Sequence, residues 1–153
     1  MIQLYNYRWF IGIDPGTGTG YSEWDAKDKK FTAVNSGTLI EAYLWIANHI
    51  DVEKTLIRIE DARKRKRFDS GRGKMTEKRW KKIQAKSQGA GSVKRDCSIW
   101  EEICEYHGWQ YEMVHPIKGG TKWTHKFFCQ VTGWTERIDQ DARDSAVLVY
   151  QYK

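Results

Sequence analysis

Cysteine is scarce in this chain: only Cys97, Cys104 and Cys129 stand among 153 residues. The number is odd and no C-x-x-C spacing occurs. That gives no sign of a disulfide framework or a zinc site, and it fits a reducing, cytoplasmic setting. Cys97 and Cys104 lie seven residues apart in a stretch of helical spacing, where they read as core. No apolar run approaches the roughly 20 residues needed to span a bilayer, so no membrane partner is expected. The opening MIQLYNYRWF lacks a basic stretch followed by an apolar one, so no secretory signal is expected there. There is no internal repeat and no long linker. What is present is enough apolar and aromatic side chain (40% and 14%) for one folded domain over residues 1–153.

Charge is unevenly spread. The net charge is +6, yet between Ala62 and Arg95 stand 14 Lys and Arg against 2 Asp and Glu, a local balance of +12. A basic segment on an acidic remainder points to a polyanion partner, nucleic acid foremost. The plainer reading is a solvated surface. Glycines and missing apolar periodicity predict a basic loop over about residues 61–91.

Three short apolar runs, residues 8–14, 19–25 and 31–38, are joined by tight polar links and predict an antiparallel meander. LIEAYLWIANHID carries apolar residues at helical spacing. TLIRI, residues 55–59, is short and β-branched, as a buried parallel strand should be, and a helix between two such strands implies a crossover. Val93, Cys97, Trp100 and Cys104 recur at intervals of 4, 3 and 4 and predict a helix from about Ser92 to Gly108. WQYEMV reads as a strand. Two helices follow, from about Thr121 to Val131 and from about Ile138 through DARDSAVLVYQY. The expected order is β-β-β-α-β-α-β-α-α.

The first strand, RWFIGID, ends on a carboxylate, Asp14, followed by the turn formers PGTGTG. The fourth, TLIRIE, ends on Glu60, with Asp61 next. Side chains alternate along a strand, so only one of Glu60 and Asp61 shares a face with its neighbours. Asp141 and Asp144, three apart, share one face of the last helix, where like charges repel unless a cation lies between them. Each acid has an ordinary reading: Asp14 as a turn former, Asp141 as a first-turn acid, Glu60 as an arginine partner. Taken together, four carboxylates without a Cys/His cluster predict a hard, oxygen-seeking ion, Mg²⁺ or Mn²⁺ rather than zinc. Two such ions about 4 Å apart would serve phosphoryl chemistry.

IGIDPGTGTGY, IRIED and DARDSAVL, in that order, resemble the motifs of RuvC-type Holliday junction resolvases in the RNase H-like nuclease superfamily. KSQGAG resembles the glycine-containing helix start that follows the family's second acid. The resemblance implies an α/β fold with a mixed five-stranded sheet, three antiparallel strands and then two parallel ones, flanked by helices. It implies a homodimer that cuts four-way or other branched DNA with Mg²⁺, or Mn²⁺ in its place, through two ions per site. Asp14, Glu60, Asp141 and Asp144 would be the metal-binding catalytic acids. The family also carries a lysine beside the site; Lys122 is the best positional match and Lys118 the alternative. Its junction-stacking aromatic would correspond to Phe68, although the run DARKRKRF places this residue further along than the family does. Trp80 is the second candidate, since an aromatic among cations can stack on bases. Arg63, Lys64, Arg65, Lys66, Arg67, Arg72, Lys74, Arg79, Lys81 and Lys82 are the expected phosphate contacts. A compact chain with a long basic segment would suit a phage or mobile element acting in a host cytoplasm.

Three rivals remain in view. An actin-like or sugar-kinase ATPase shares the D-x-G turn but needs a second domain. An RNase H acting on RNA–DNA hybrid carries its second acid on a helix. A non-catalytic junction-binding protein would not need the acids.

Overall fold

The computed structural model describes residues 6–65, 76–116 and 122–153. Ten elements follow one another: β1 (Trp9–Asp14), β2 (Thr19–Asp25), β3 (Lys30–Gly37), α1 (Leu39–His49), β4 (Thr55–Glu60), a 3₁₀ turn (Ala62–Lys64), α2 (Glu77–His107), β5 (Tyr111–Val114), α3 (His125–Thr132) and α4 (Gln140–Val147). The five strands form one mixed sheet in the order β3-β2-β1-β4-β5. β1 pairs antiparallel with β2 and parallel with β4, β2 pairs antiparallel with β3, and β4 pairs parallel with β5. The fold class and the order of elements are those expected from the sequence.

Alternation along β1 and β4 supplies two cores. Phe10 and Leu56 point to one face, where Trp24, Phe31, Val34 and Phe128 join the alanines of α4. Ile11, Ile13, Ile57 and Ile59 point to the other, against Ala42 and Ile46 of α1 and Trp100 and Cys104 of α2. By the same period of two, Gly12 and Asp14 share the face of Phe10, and Arg58 and Glu60 share the face of Leu56. Asp14 and Glu60 therefore end adjacent parallel strands on the α4 side of the sheet, one residue beyond the Ile13–Ile59 pairing.

Glycine sets how closely α4 can approach. A Cβ on Gly12 would collide with the Ser145 carbonyl oxygen, and one on Gly20 with the Asp141 carbonyl oxygen. Both obstacles are backbone, so the helix rests directly on β1 and β2 only because these positions lack side chains.

Three boundaries differ from expectation. α2 is 31 residues long and starts at Glu77, fifteen residues before the expected start at Ser92, so residues 77–91 are helix rather than basic loop. The Thr76 side chain caps it by accepting from the Arg79 amide, and Lys81 pairs with Glu77 at 3.1 Å. EKRWKKIQAK is rich in strong helix formers. Its apolar periodicity is missing because this half of the helix has little core beneath it. α3 starts at His125, after Thr124, whose side chain accepts from the Phe127 amide. α4 ends at Val147 instead of continuing to the C-terminus: Arg58 donates to the Leu148 carbonyl at 2.9 Å. The remaining turns then place Tyr150 against Trp24 and Phe31, and Tyr152 against Phe10.

Candidate active site

Asp14 is the centre of the carboxylate group. Its carboxyl is pushed up to about 7, first by burial and then by the charges of Glu60, Asp144 and Asp141, with Lys122 acting in the opposite direction. Among the described residues no hydrogen-bond donor reaches its oxygens. A largely buried acid with three acidic neighbours and no donor is held in a costly state.

Glu60 is also raised by burial, against the opposing charge of Arg65. The Arg65 guanidinium stands 3.4 Å from Glu60 Oε1 and is mostly exposed. Asp61 faces the other way, as alternation requires. Burial alone would raise it, yet hydrogen bonds from Arg63 hold it below the usual carboxylate range.

α4 brings the other two acids. Asp139 caps the helix by accepting from the Ala142 amide at 2.9 Å and also accepts from the Ser36 hydroxyl. Asp141 leans over the turn between β1 and β2, where a Cβ on Gly18 would meet its Oδ2. Its carboxyl is raised by burial and then by Asp139 and Asp144. Asp144 accepts from Lys122 Nζ at 2.7 Å and from Gln140 Nε2 at 2.6 Å. The Lys122 ammonium is raised in turn by its bond to Asp144, and the charges of Asp14 and Asp141 act on it in the same sense.

Lys122 is held there by an arginine that sequence reasoning overlooked. Arg143, between the two acids of DARD, donates to the carbonyls of Trp123 (2.9 Å) and Ile138 (2.7 Å) and to Gln140 Oε1 (2.9 Å). It thereby ties the segment carrying Lys122 to the start of α4. Asp139 and Gln140 were overlooked as well. Nothing in IDQDARD distinguishes the capping acid from the site acids until the helix start is known.

The acids open onto a cleft of about 510 Å³ lined by Asp14, Glu60 and Arg65 on one side and by Lys86, Ala90 and Lys94 of α2 on the other. KSQGAG therefore lies in the middle of α2 and faces the acids, not at a helix start. As placed, no three His, Cys, Asp or Glu side chains among the described residues stand close enough to hold a metal ion; Asp144 is turned towards Lys122 and Asp141 towards Gly18. The donor set nevertheless fits a hard cation in kind. Every candidate ligand is a carboxylate, and Asp14 is buried without a donor among the described residues.

The expected phosphate contacts divide. Arg63 is turned inward: its guanidinium bonds both Asp61 oxygens (2.8 and 2.9 Å), Glu101 (2.8 Å) and Ser98 (3.2 Å), fastening the 3₁₀ turn to α2. Its five donors are largely spent within the fold. Lys64 donates to the Met113 carbonyl at 2.6 Å. Arg79, Lys81 and Lys82 lie on the first turns of α2, and Trp80 beside them is half exposed. Lys66, Arg67, Phe68, Arg72, Lys74 and Lys118 lie outside the described residues. No helix among the described residues is long and apolar enough to cross a membrane. Compared with protein-family models and with curated proteins, the chain matches none.

Proposed function

We propose that the protein is a metal-dependent endodeoxyribonuclease that hydrolyses phosphodiester bonds in branched DNA, four-way junctions foremost. One observation carries the reading: Asp14 ends a central strand as a buried carboxylate, without a donor among the described residues, beside three further acids and with a basic cleft wall opposite. The order of IGIDPGTGTGY, IRIED and DARDSAVL, which resembles the junction resolvases, supports the substrate class.

Asp14, Glu60, Asp141 and Asp144 would hold Mg²⁺ or Mn²⁺. Bound there, such ions lower the pKa of a water and stabilise the leaving oxygen. The chain's own side chains do the rest. Lys122 supplies a fixed positive charge beside the acids, where it would oppose charge building on the scissile phosphate. Arg65, Lys86 and Lys94 would neutralise the backbone on either side and keep the strand in the cleft. Two symmetric cuts across a junction would call for a homodimer.

The test is cleavage in Mn²⁺ of matched four-way, three-way, flap and linear duplex DNA and of RNA–DNA hybrid, with product mapping and with Asp14→Asn as control. Cutting confined to branched DNA and abolished by Asp14→Asn supports the reading. Preferential cutting of the hybrid would make the protein an RNase H. Tight junction binding without cutting in any divalent metal would leave a binding protein.

A further inference from the structure

The face of α2 that enters the core does not stop at the cleft. Cys104, Trp100 and Cys97 are its buried part. Val93, Ala90 and Lys86 continue it along the cleft wall opposite Asp14 and Glu60. Continued at the same alternation of three and four residues, the seam reaches Lys82 and then Arg79. One helical face thus passes from apolar, where it meets the sheet, to small, where it meets the acids, to basic beyond them. Lys81, paired with Glu77, and Arg95 lie on the opposite side of the helix. Trp80 lies off the seam as well.

We infer that this seam is the track along which the DNA strand leaves the acidic site, a placement that rests on the nuclease reading above. Three features argue for it. First, the seam begins in the same cleft as Asp14, so a strand with its phosphate at the acids already lies against Ala90 and Gly89. Among the described residues a Cβ on Gly89 would meet nothing within 4 Å, so this wall leaves room for a backbone. Second, the charge changes sign along the path a strand would take: acids hold the reacting end, lysines the outgoing one. Third, the reach is right. From Val93 to Arg79 is about 21 Å at 1.5 Å per residue, or about six steps of a duplex strand at 3.4 Å each. A rigid helix presents its charges in fixed register, so Lys86, Lys82 and Arg79 would meet successive stretches of one backbone, whereas a flexible basic loop would meet any phosphate within reach.

The inference distinguishes two pairs of lysines and arginines with equal charge on one helix. In the Asp14→Asn background, which removes cutting as a variable, binding to a four-way junction is measured by fluorescence anisotropy across a salt series. Three proteins are compared: the background, Lys82→Ala/Lys86→Ala, and Lys81→Ala/Arg95→Ala. Alanine preserves the helix, and circular dichroism checks that it does. The seam pair should flatten the log–log salt slope by about two units; the opposite pair should change it by less than about half a unit. A second arm of the test shortens the junction arms in turn to about two base pairs. Shortening the arm that follows the seam should bring the background down to the affinity of the seam variant. Equal slope losses for the two pairs, or no arm whose shortening removes the difference, would overturn the track while leaving the nuclease reading intact. Failure of the background protein to bind junction DNA at all would remove both.

Discussion

The Lys122 ammonium stands 2.7 Å from a carboxylate oxygen of Asp144, in a group where Asp14, Asp141 and Glu60 also feel its charge. Among the described residues it is one of two positive charges at these acids, the other being Arg65, 3.4 Å from Glu60. Asp14 has no donor among the described residues, and burial together with the neighbouring acids pushes its carboxyl up to about 7.

That imbalance gives the first expected outcome, a dependence of stability on pH in metal-free buffer. The Asp14 carboxyl rises from 3.8 to about 7 on folding. The folded chain therefore binds this proton more tightly than the unfolded chain does. The associated stability is fully present below about pH 4 and is lost as the pH rises through about 7, with an upper size of about 4 kcal/mol. Asp14→Asn should flatten the melting temperature across this window and raise it at pH 8. Added Mn²⁺ should stabilise the parent at pH 8 and the variant much less. Identical pH profiles for the two proteins would mean that Asp14 is not the strained group.

Glycine positions should separate into opposite signs. Gly20→Ala drives a Cβ into the backbone carbonyl of Asp141, and overpacking of that kind costs about 1–3 kcal/mol. It should also disturb α4 and reduce cutting. Gly89→Ala enters open space in a helix interior, where alanine is favoured by about 0.5–1 kcal/mol. Thermal melts of the two variants should move in opposite directions. Stabilisation by Gly20→Ala would show that α4 does not depend on close contact with β2.

The sequence made the acids legible and half of their support illegible, for physical reasons. Strand ends and alternation are local, so the positions of Asp14 and Glu60 and the opposite orientation of Asp61 could be read from RWFIGID and TLIRIED. The spacing of Asp141 and Asp144 on a helix could be read in the same way. The first half of α2 could not. Apolar periodicity records burial, and residues 77–91 are mostly exposed. The periodicity continues there in Arg79, Lys82 and Lys86, but basic residues at helical spacing resemble a charged loop until the helix is seen. Arg63 and Arg143 were hidden for a different reason: beside the local acceptors Asp61, Gln140 and Ile138, they bond Glu101, Ser98 and Trp123, which are close in space and distant in sequence.

The inward position of Arg63 makes it a test of fold against DNA contact. Its partner Asp61 is buried at 4% side-chain exposure. Removing one member of such a pair leaves a charge without its counter-ion, at a cost of about 3–5 kcal/mol when fully buried and about 2–4 kcal/mol with Arg63 partly exposed. Arg63→Ala should lower the melting temperature strongly and leave the salt slope of DNA binding nearly unchanged. Asp61 is held below its ordinary range, so its stabilisation is present above about pH 4 and lost as the pH falls through the depressed value. The acid limb of the parent's stability curve should therefore shrink in Arg63→Ala. A flattened salt slope with an unchanged melt would return Arg63 to the phosphate contacts.

Arg143 holds the Trp123 carbonyl, the Ile138 carbonyl and Gln140 at once, and Trp123 follows Lys122 directly. Its expected role is to fix where the Lys122 ammonium stands. Lys122→Ala should lower kcat for junction cleavage by about 10²–10³-fold, the scale of a lost charge stabiliser, with little change in KM. Arg143→Ala should lower kcat by about 10²-fold, the scale of a displaced group. A double-mutant cycle decides whether the two effects are one. If Arg143 acts through Lys122, the double variant loses no more than Lys122→Ala alone, because there is no ammonium left to misplace. If Arg143 only stabilises the fold, the two losses multiply and the Arg143→Ala loss tracks its melting temperature. Arg143→Lys sharpens the distinction. A single ammonium cannot bridge three acceptors as a planar guanidinium does, so this variant should remain folded and still fall well below the parent in kcat. Full activity in Arg143→Lys would remove the arginine from the positioning of Lys122.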